Sequence, residues 1–261
     1  MNFEFFIARR ILKSKTAAKQ ISRPVVRISI WAIAIGIIIM IIALATGNGL
    51  RKEIRAKVTG FGGNIQVIHY QPEPTYEQTP VVLTDSIIQL ITGRPAVQRI
   101  SAFGRKAGIL KAGDLFEGAV LKGVPADYNW DGLESFMKEG HTLSISDSSY
   151  NDSILISGTL ASRLKLELHD KLPMYFVRPA KPPLLRNFYI SGIFQTDFEE
   201  IDNNFVIGDL KHIQRINHWD STEVGGYEIY LKEGYSSQTV AAQLRLILPY
   251  EADALKLAAA Q

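Results

Sequence analysis

The sequence predicts an α+β protein: an N-terminal transmembrane helix with a stalk, then a mixed α/β extracytoplasmic core domain in two lobes. Three observations carry this. A single uncharged apolar run lies near the N-terminus, from Ile28 to Thr46. Basic residues crowd the segment before it. Beyond Gly60 the apolar residues fall into short alternating runs interspersed with helix-like segments, the pattern of mixed strand and helix around a core.

The first 27 residues form a basic segment. Asn2 to Lys13 puts Phe3, Phe6, Ile7 and Ile11 on one helical stripe and basic side chains on another, which suits a helix lying at the lipid interface. Arg9, Arg10, Lys13, Lys15, Lys19, Arg23 and Arg27 face a single acid, Glu4, so this end is expected to stay in the cytoplasm. Arg51, Lys52, Arg55 and Lys57 on the other flank reduce that asymmetry without reversing it. The run 28–46, ISIWAIAIGIIIMIIALAT, would cover about 28 Å as a helix. Its isoleucines together favour insertion by roughly 3 to 5 kcal/mol. Ala43-Leu44-Ala45 has the form of a signal-peptide cleavage site. The apolar run is longer than a signal-peptide core and follows a long basic segment, so an uncleaved anchor is expected.

Residues 47–59 continue as a stalk helix, with Leu50, Ile54 and Val58 spaced by four. Gly60, Gly62 and Gly63 stop it, and Ile65 to Tyr70 begins the core domain, expected over 60–253, as a strand. Gln71 to Pro80 holds Pro72, Pro74 and Pro80 and reads as an extended loop; Thr84 then caps a short helix. Strands are expected at Phe103 to Lys111 and Leu115 to Gly123 around Ala112-Gly113-Asp114, and at Ser153 to Ile156. SGTLASRLKL reads as a helix, and KLPMYFV, RNFYISGIF and NNFVIGD as strands. Asp209 caps LKHIQRIN, GGYEIYL is a strand, and a last helix runs near Ser237 to Leu248. Residues 254–261 read as a low-information tail.

Composition excludes several functions. The net charge of +3 is explained by the two flanks of the membrane helix, and no aromatic-interleaved basic stripe or helix-turn-helix points to nucleic acid. There is no cysteine, hence no disulfide, thiolate site or cysteine nucleophile. No H-E-x-x-H, G-x-S-x-G or phosphate-binding loop occurs, so catalytic, metal and cofactor sites are all expected to be absent. GFGGN at 60–64 is a helix-to-strand connector. His212 and His218 are six apart and do not share a helix face. Asp197, Glu199, Glu200 and Asp202 lack the calcium-loop spacing and read as a solvated acidic loop. Within the membrane helix, Gly36 permits close helix approach and Asn48 sits near the outer boundary; with Met40 and Leu44 these are the candidates for helix packing or for facing a substrate.

Several segments, in order, resemble a known family: FIARRILKSK, GNGLRKEIRAKVTGFGGNIQV, LKGVPADYNW, ISGTLASRLKLELHDKL, FYISGIFQTDFEEID and FVIGDLKHIQRIN. The chain is similar to the N-terminal half of ABC-transporter permeases of the MacB/FtsX superfamily, most of all the lipoprotein-releasing type. The resemblance implies an inner-membrane permease subunit with a periplasmic core domain and no ATPase of its own. ATP would be bound by a separate ABC ATPase subunit. A second permease subunit would complete the dimer, membrane lipid would surround the helix, and a lipoprotein would be the substrate. The family's three further membrane helices and coupling helix have no counterpart here, and ALKLAAAQ after Pro249-Tyr250-Glu251 is expected to be a truncation or foreign tail. The lipoprotein-releasing type carries a projecting hook loop that meets a periplasmic lipoprotein chaperone. The corresponding position is Arg178 to Arg186, shorter than a full hook, with Pro179, Lys181, Pro182, Pro183, Leu184, Leu185 and Arg186 as candidate contacts and an ordinary loop as the other reading. His169 stands where the family more often has Gly before Asp. An efflux or cell-division member of the same superfamily, and a single-pass sensor or ligand-binding module, are the alternatives.

Overall fold

The computed structural model describes residues 3–13, 19–70, 78–178 and 181–256. It divides into two units, Met1–Glu53 and Ile54–Gln261. The Pro-rich 71–77 and Pro179 lie outside the described residues.

The first unit is helical. Helix α1 (Phe3–Lys13) exposes Phe3, Phe6 and Ile7, the apolar stripe read from the sequence. Helix α2 (Lys19–Gly62) is unbroken for 44 residues and carries Pro24 in its first turns. Within it Pro24–Leu50 is long and apolar enough to cross a membrane, with mean hydropathy 2.8 and none of its most apolar window buried. The helix begins before the expected apolar run and ends at the glycines. Gly63 takes φ +70°, a left-handed conformation glycine adopts without strain, and its N–H closes on the Thr59 carbonyl at 2.9 Å.

The second unit follows in chain order as β1 (Ile65–His69), α3 (Asp85–Thr92), β2 (Val97–Ala112), β3 (Leu115–Val124), α4 (Asp131–Glu134) and β4 (Met137–Gly140). There follow β5 (Ser153–Ser157), α5 (Gly158–Leu164), β6 (Lys171–Arg178), β7 (Lys181–Phe194), α6 (Glu199–Asp202) and β8 (Phe205–Asp209). The last elements are α7 (Leu210–Asn217), β9 (Gly226–Leu231), α8 (Ser237–Arg245) and β10 (Ala252–Lys256).

The strand pairings make two lobes on one long strand. Residues 97–103 of β2 pair with β9, which pairs with β1, which pairs with β10, all antiparallel. Residues 104–112 of β2 pair with β3, and the ladder continues β3, β8, β5, β7. Strand β6 joins β7 back to β2 through Ile109↔Tyr175 and Leu110↔Met174, so these six strands close into a barrel. Closure gives each of the six strands a neighbour on both sides over part of its length, with the first residues of β7 paired on one side only. Alternation along the strands sends Leu110, Leu121, Ile154, Ile156, Met174, Phe176, Phe188 and Val206 inward, with Leu160 and Leu164 of α5 and Ile213 and Ile216 of α7 completing the same core. The sheet lobe buries Ile65, Val67 and Ile229 of its strands against Ile91 of α3 and Val240 and Leu244 of α8. A third cluster, with Val124, Leu155, Phe194 and Ile207, lies on the outer face of the barrel strands and takes in Phe61 from the end of α2.

Three expectations need correction. Ala252–Lys256 pairs in full with Ile65–His69, so residues 254–256 belong to the sheet and the tail begins later. The segment 181–186 is strand, since β7 starts at Lys181 and pairs with β6 from Arg178↔Lys181 through Phe176↔Leu184. Its prolines are tolerated because Pro182 and Pro183 sit at the register shift, and this stretch of β7 has β6 on one side only. In the acidic segment Asp197, Glu199 and Glu200 are exposed as expected, but Asp202 is buried. Its carboxylate accepts from the Thr196 N–H at 3.0 Å and hydroxyl at 2.8 Å and from the Gln195 amide, so it is a structural staple.

Candidate functional site

The hook-like segment takes in the antiparallel pair β6 and β7, with Arg178 facing Lys181. Arg178 holds it, donating from Nε and Nη2 to the Pro182 carbonyl at 3.2 and 2.8 Å. The two leucines diverge, as period two requires: Leu184 turns inward against the barrel core and Leu185 outward. Pro182 and Pro183 are exposed and Arg186 is half-buried. Register places Ile109, Tyr175 and Leu185 side by side on the outer face. Val177, 57% exposed, extends that apolar row on the hairpin. The segment read from the sequence as a short hook-like or ordinary loop is thus an apolar, arginine-flanked strand face.

In α2, Gly36, Met40, Leu44 and Asn48 recur every four residues and share one face. All four are exposed, and nothing lies within 4 Å of the position a Cβ would occupy on Gly36. This stripe is open to a packing partner.

The histidines part company. His212 is buried, its Nε2 donating to the Asn151 carbonyl at 3.0 Å and lying 3.3 Å from Asp152 Oδ1, with its ring edge-on to Phe188. His218 ends α7 at φ +59°. Among the described residues no group of three or more His, Cys, Asp or Glu could hold a metal.

A fourth locus escaped the sequence reading: the end of the stalk, where charge is buried. Lys122 on β3 and Glu228 on β9 are each 1% exposed and pair at 2.8 Å from Nζ to Oε1 and 3.1 Å to Oε2. Lys122 Nζ also donates to the Phe61 carbonyl and sits 4.3 Å from the centroid of the Phe61 ring. Gln66 Nε2 donates to the Gly62 carbonyl at 3.2 Å, and Arg105 Nη2 donates to Gln66 Oε1. Helices leave their last four carbonyls without partners. Here Thr59, Phe61 and Gly62 are satisfied by Gly63, Lys122 and Gln66, and the ammonium lies where the helix dipole is negative. The Tyr230 hydroxyl donates to Glu228 Oε2 at 3.1 Å. Burial pushes that phenol far above its ordinary value, with the Glu228 carboxylate adding to the effect, so it stays protonated as a donor. Period-two reading of β9 would have flagged Glu228 as an acid inside an otherwise apolar strand, yet only the fold supplies its partner.

With this architecture in hand, the chain is placed by its likeness to known proteins. The family model for the MacB-like periplasmic core domain matches residues 28–247, and the chain belongs to that family. The chain is also similar to curated proteins of the lipoprotein-releasing type. It is 24% identical over 231 residues to the lipoprotein-releasing system transmembrane protein LolC of Xylella fastidiosa, covering 85% of this chain and 53% of that protein. It is 23% identical over 252 residues to the protein of the same name from Neisseria meningitidis, covering 93% and 58%. The chain therefore spans little more than half the length of the curated relatives it matches. Its fold is also that of the periplasmic region of MacB from Actinobacillus actinomycetemcomitans, with a TM-score of 0.50 at 14% identity, covering 76% of this chain and 91% of that one. The resemblance read from the sequence holds.

Proposed function

We propose that this chain is the first membrane helix, stalk and periplasmic core of an ABC-transporter permease subunit that releases lipoproteins from the inner membrane. The observation that carries this reading is a MacB-like core domain joined without interruption to an apolar helix, in a sequence aligned over most of its length with lipoprotein-releasing proteins. A separate ATPase supplies the energy from the cytoplasm, and a second permease subunit packs on the open stripe of Gly36, Met40, Leu44 and Asn48. The domain does mechanical work and contributes no catalytic group. The outward face of the β6–β7 hairpin, with Leu185 and Val177 exposed, is the contact offered to a periplasmic chaperone.

The test is affinity capture of the natural full-length protein in detergent with mass spectrometry of what is retained. The reading predicts an ABC ATPase together with lipidated proteins, and a chaperone that is kept by the natural protein and lost by Leu185→Glu. An ATPase without lipidated proteins would redirect the substrate towards efflux. Repeated recovery of no ATPase would sink the transporter reading in favour of a single-pass binding module.

A further inference from the structure

The buried charges at the stalk end join three elements at one point. Lys122 lies on β3, a barrel strand; Glu228 lies on β9, a strand of the sheet lobe; Phe61 is the penultimate residue of α2. A single ammonium touches all three, because Lys122 Nζ reaches the Phe61 carbonyl and both oxygens of Glu228. We propose that Lys122 and Glu228 form a three-way clasp that fixes the end of the stalk to both lobes at once, so that a movement of the stalk is carried into both.

Several features make this a rigid device. Lys122 and Glu228 are both buried, so salt screens the ion pair far less than a surface pair and separating it leaves an uncompensated charge. Its hydrogen bonds are directional, whereas apolar packing tolerates sliding. The remaining lone pairs are used: Glu228 also accepts from Tyr230, which carries the Arg99 guanidinium 3.4 Å above its ring, and Gln66 bridges the Gly62 carbonyl and Arg105. The backbone adds close contacts. A Cβ at Gly60 would stand 3.4 Å from the Gly132 carbonyl, and Asn64 N–H and side chain bond β9 at Ile229 and Leu231. The chain itself crosses between the lobes twice, within β2 at Phe103 and Gly104 and again over 218–225 between α7 and β9. Helix α7 ties the same lobes by apolar packing, with Leu210 in the sheet core and Ile213 in the barrel core, and the clasp adds the directional restraint that such packing lacks.

The role in moving substrate rests on the transporter reading; the clasp itself does not, and its test is made on the chain alone in lipid nanodiscs. Lys122→Met by itself leaves a buried carboxylate unpaired and threatens folding, so the deciding variant is Lys122→Met with Glu228→Gln, which removes both charges. The readouts are amide exchange and a spin-label distance between Ser162→Cys on α5 and Ala242→Cys on α8, both exposed sites in a chain with no cysteine. The clasp predicts about tenfold faster exchange at residues 59–66 and 226–231, unchanged exchange in β5 and β8, and a broadened inter-lobe distance distribution. Natural exchange at the stalk end, or an unchanged distribution, would overturn it. Failure to capture an ATPase would sink the transporter reading and leave this result standing.

Discussion

The barrel interior and the stalk end are equally buried and are built from opposite chemistry. Inside the barrel, Phe176, Phe188, Ile154 and Leu121 pack with no polar partner required. At the stalk end, Lys122 and Glu228 are shut away from water together with the last carbonyls of a helix. Apolar packing supplies most of the driving force for folding, but it is non-directional and tolerates rearrangement. A buried ion pair adds little net stability and strongly penalises any geometry that separates it. The molecule thus uses hydrophobic burial where it needs a body and paired charge where it needs an orientation.

That contrast can be broken most forcefully at Glu228. Glu228→Ala strands the Lys122 ammonium and is expected to cost about 3–5 kcal/mol in denaturant unfolding, while Lys122→Met with Glu228→Gln should recover most of that loss. A double variant as unstable as the single one would mean that the pair holds the fold and not merely its orientation. In the barrel lobe the sensitive property is volume. A Cβ on Gly123 would stand 2.7 Å from Leu210 Cα and 2.9 Å from Ile213 Cδ1, so Gly123→Ala should cost about 1–3 kcal/mol by pushing α7 off the strands.

Proton linkage sharpens the same comparison. The Tyr230 phenol is raised in the folded chain above its free value of 10.0, so its contribution is complete below about pH 10 and is lost as pH rises beyond that, when the unfolded chain gives up the proton first. Tyr230→Phe should lose stability less steeply than the natural chain between about pH 9 and 11, measured by urea midpoints. Equal slopes would remove Tyr230 from the joint. The smallest effect belongs to the surface. His169 is exposed at φ +71°, a conformation that strains any side chain, and His169→Gly should raise stability by up to about 1 kcal/mol, read as a small increase in melting temperature.

Those residues also mark what was legible in the sequence. Local signals came through: Asp209 caps α7 by accepting from the Lys211 N–H at 3.0 Å, the glycines stop α2, and the strands at Ser153 and Gly226 lie where alternation put them. His169, which stands where the family more often has Gly, adopts a left-handed backbone. Non-local features did not come through. Barrel closure depends on Ile109 meeting Tyr175, and β10 is a strand only because β1 lies beside it. The β7 prolines suggested a loop because a register shift and a free side, which make them harmless, are properties of the sheet. The stalk-end site was hidden for the same reason, since Phe61, Lys122 and Glu228 are brought together only by the fold.

Every functional reading above places the core domain across the membrane from the basic N-terminal segment, and one measurement decides that. The chain has no cysteine, so single cysteines at Arg10 and at Asp114, in the exposed β2–β3 turn, can be challenged in intact spheroplasts with a membrane-impermeant maleimide. Labelling is expected for Asp114→Cys in intact spheroplasts and for Arg10→Cys only after lysis. Labelling of Arg10→Cys from outside, with Asp114→Cys protected until lysis, would contradict that placement.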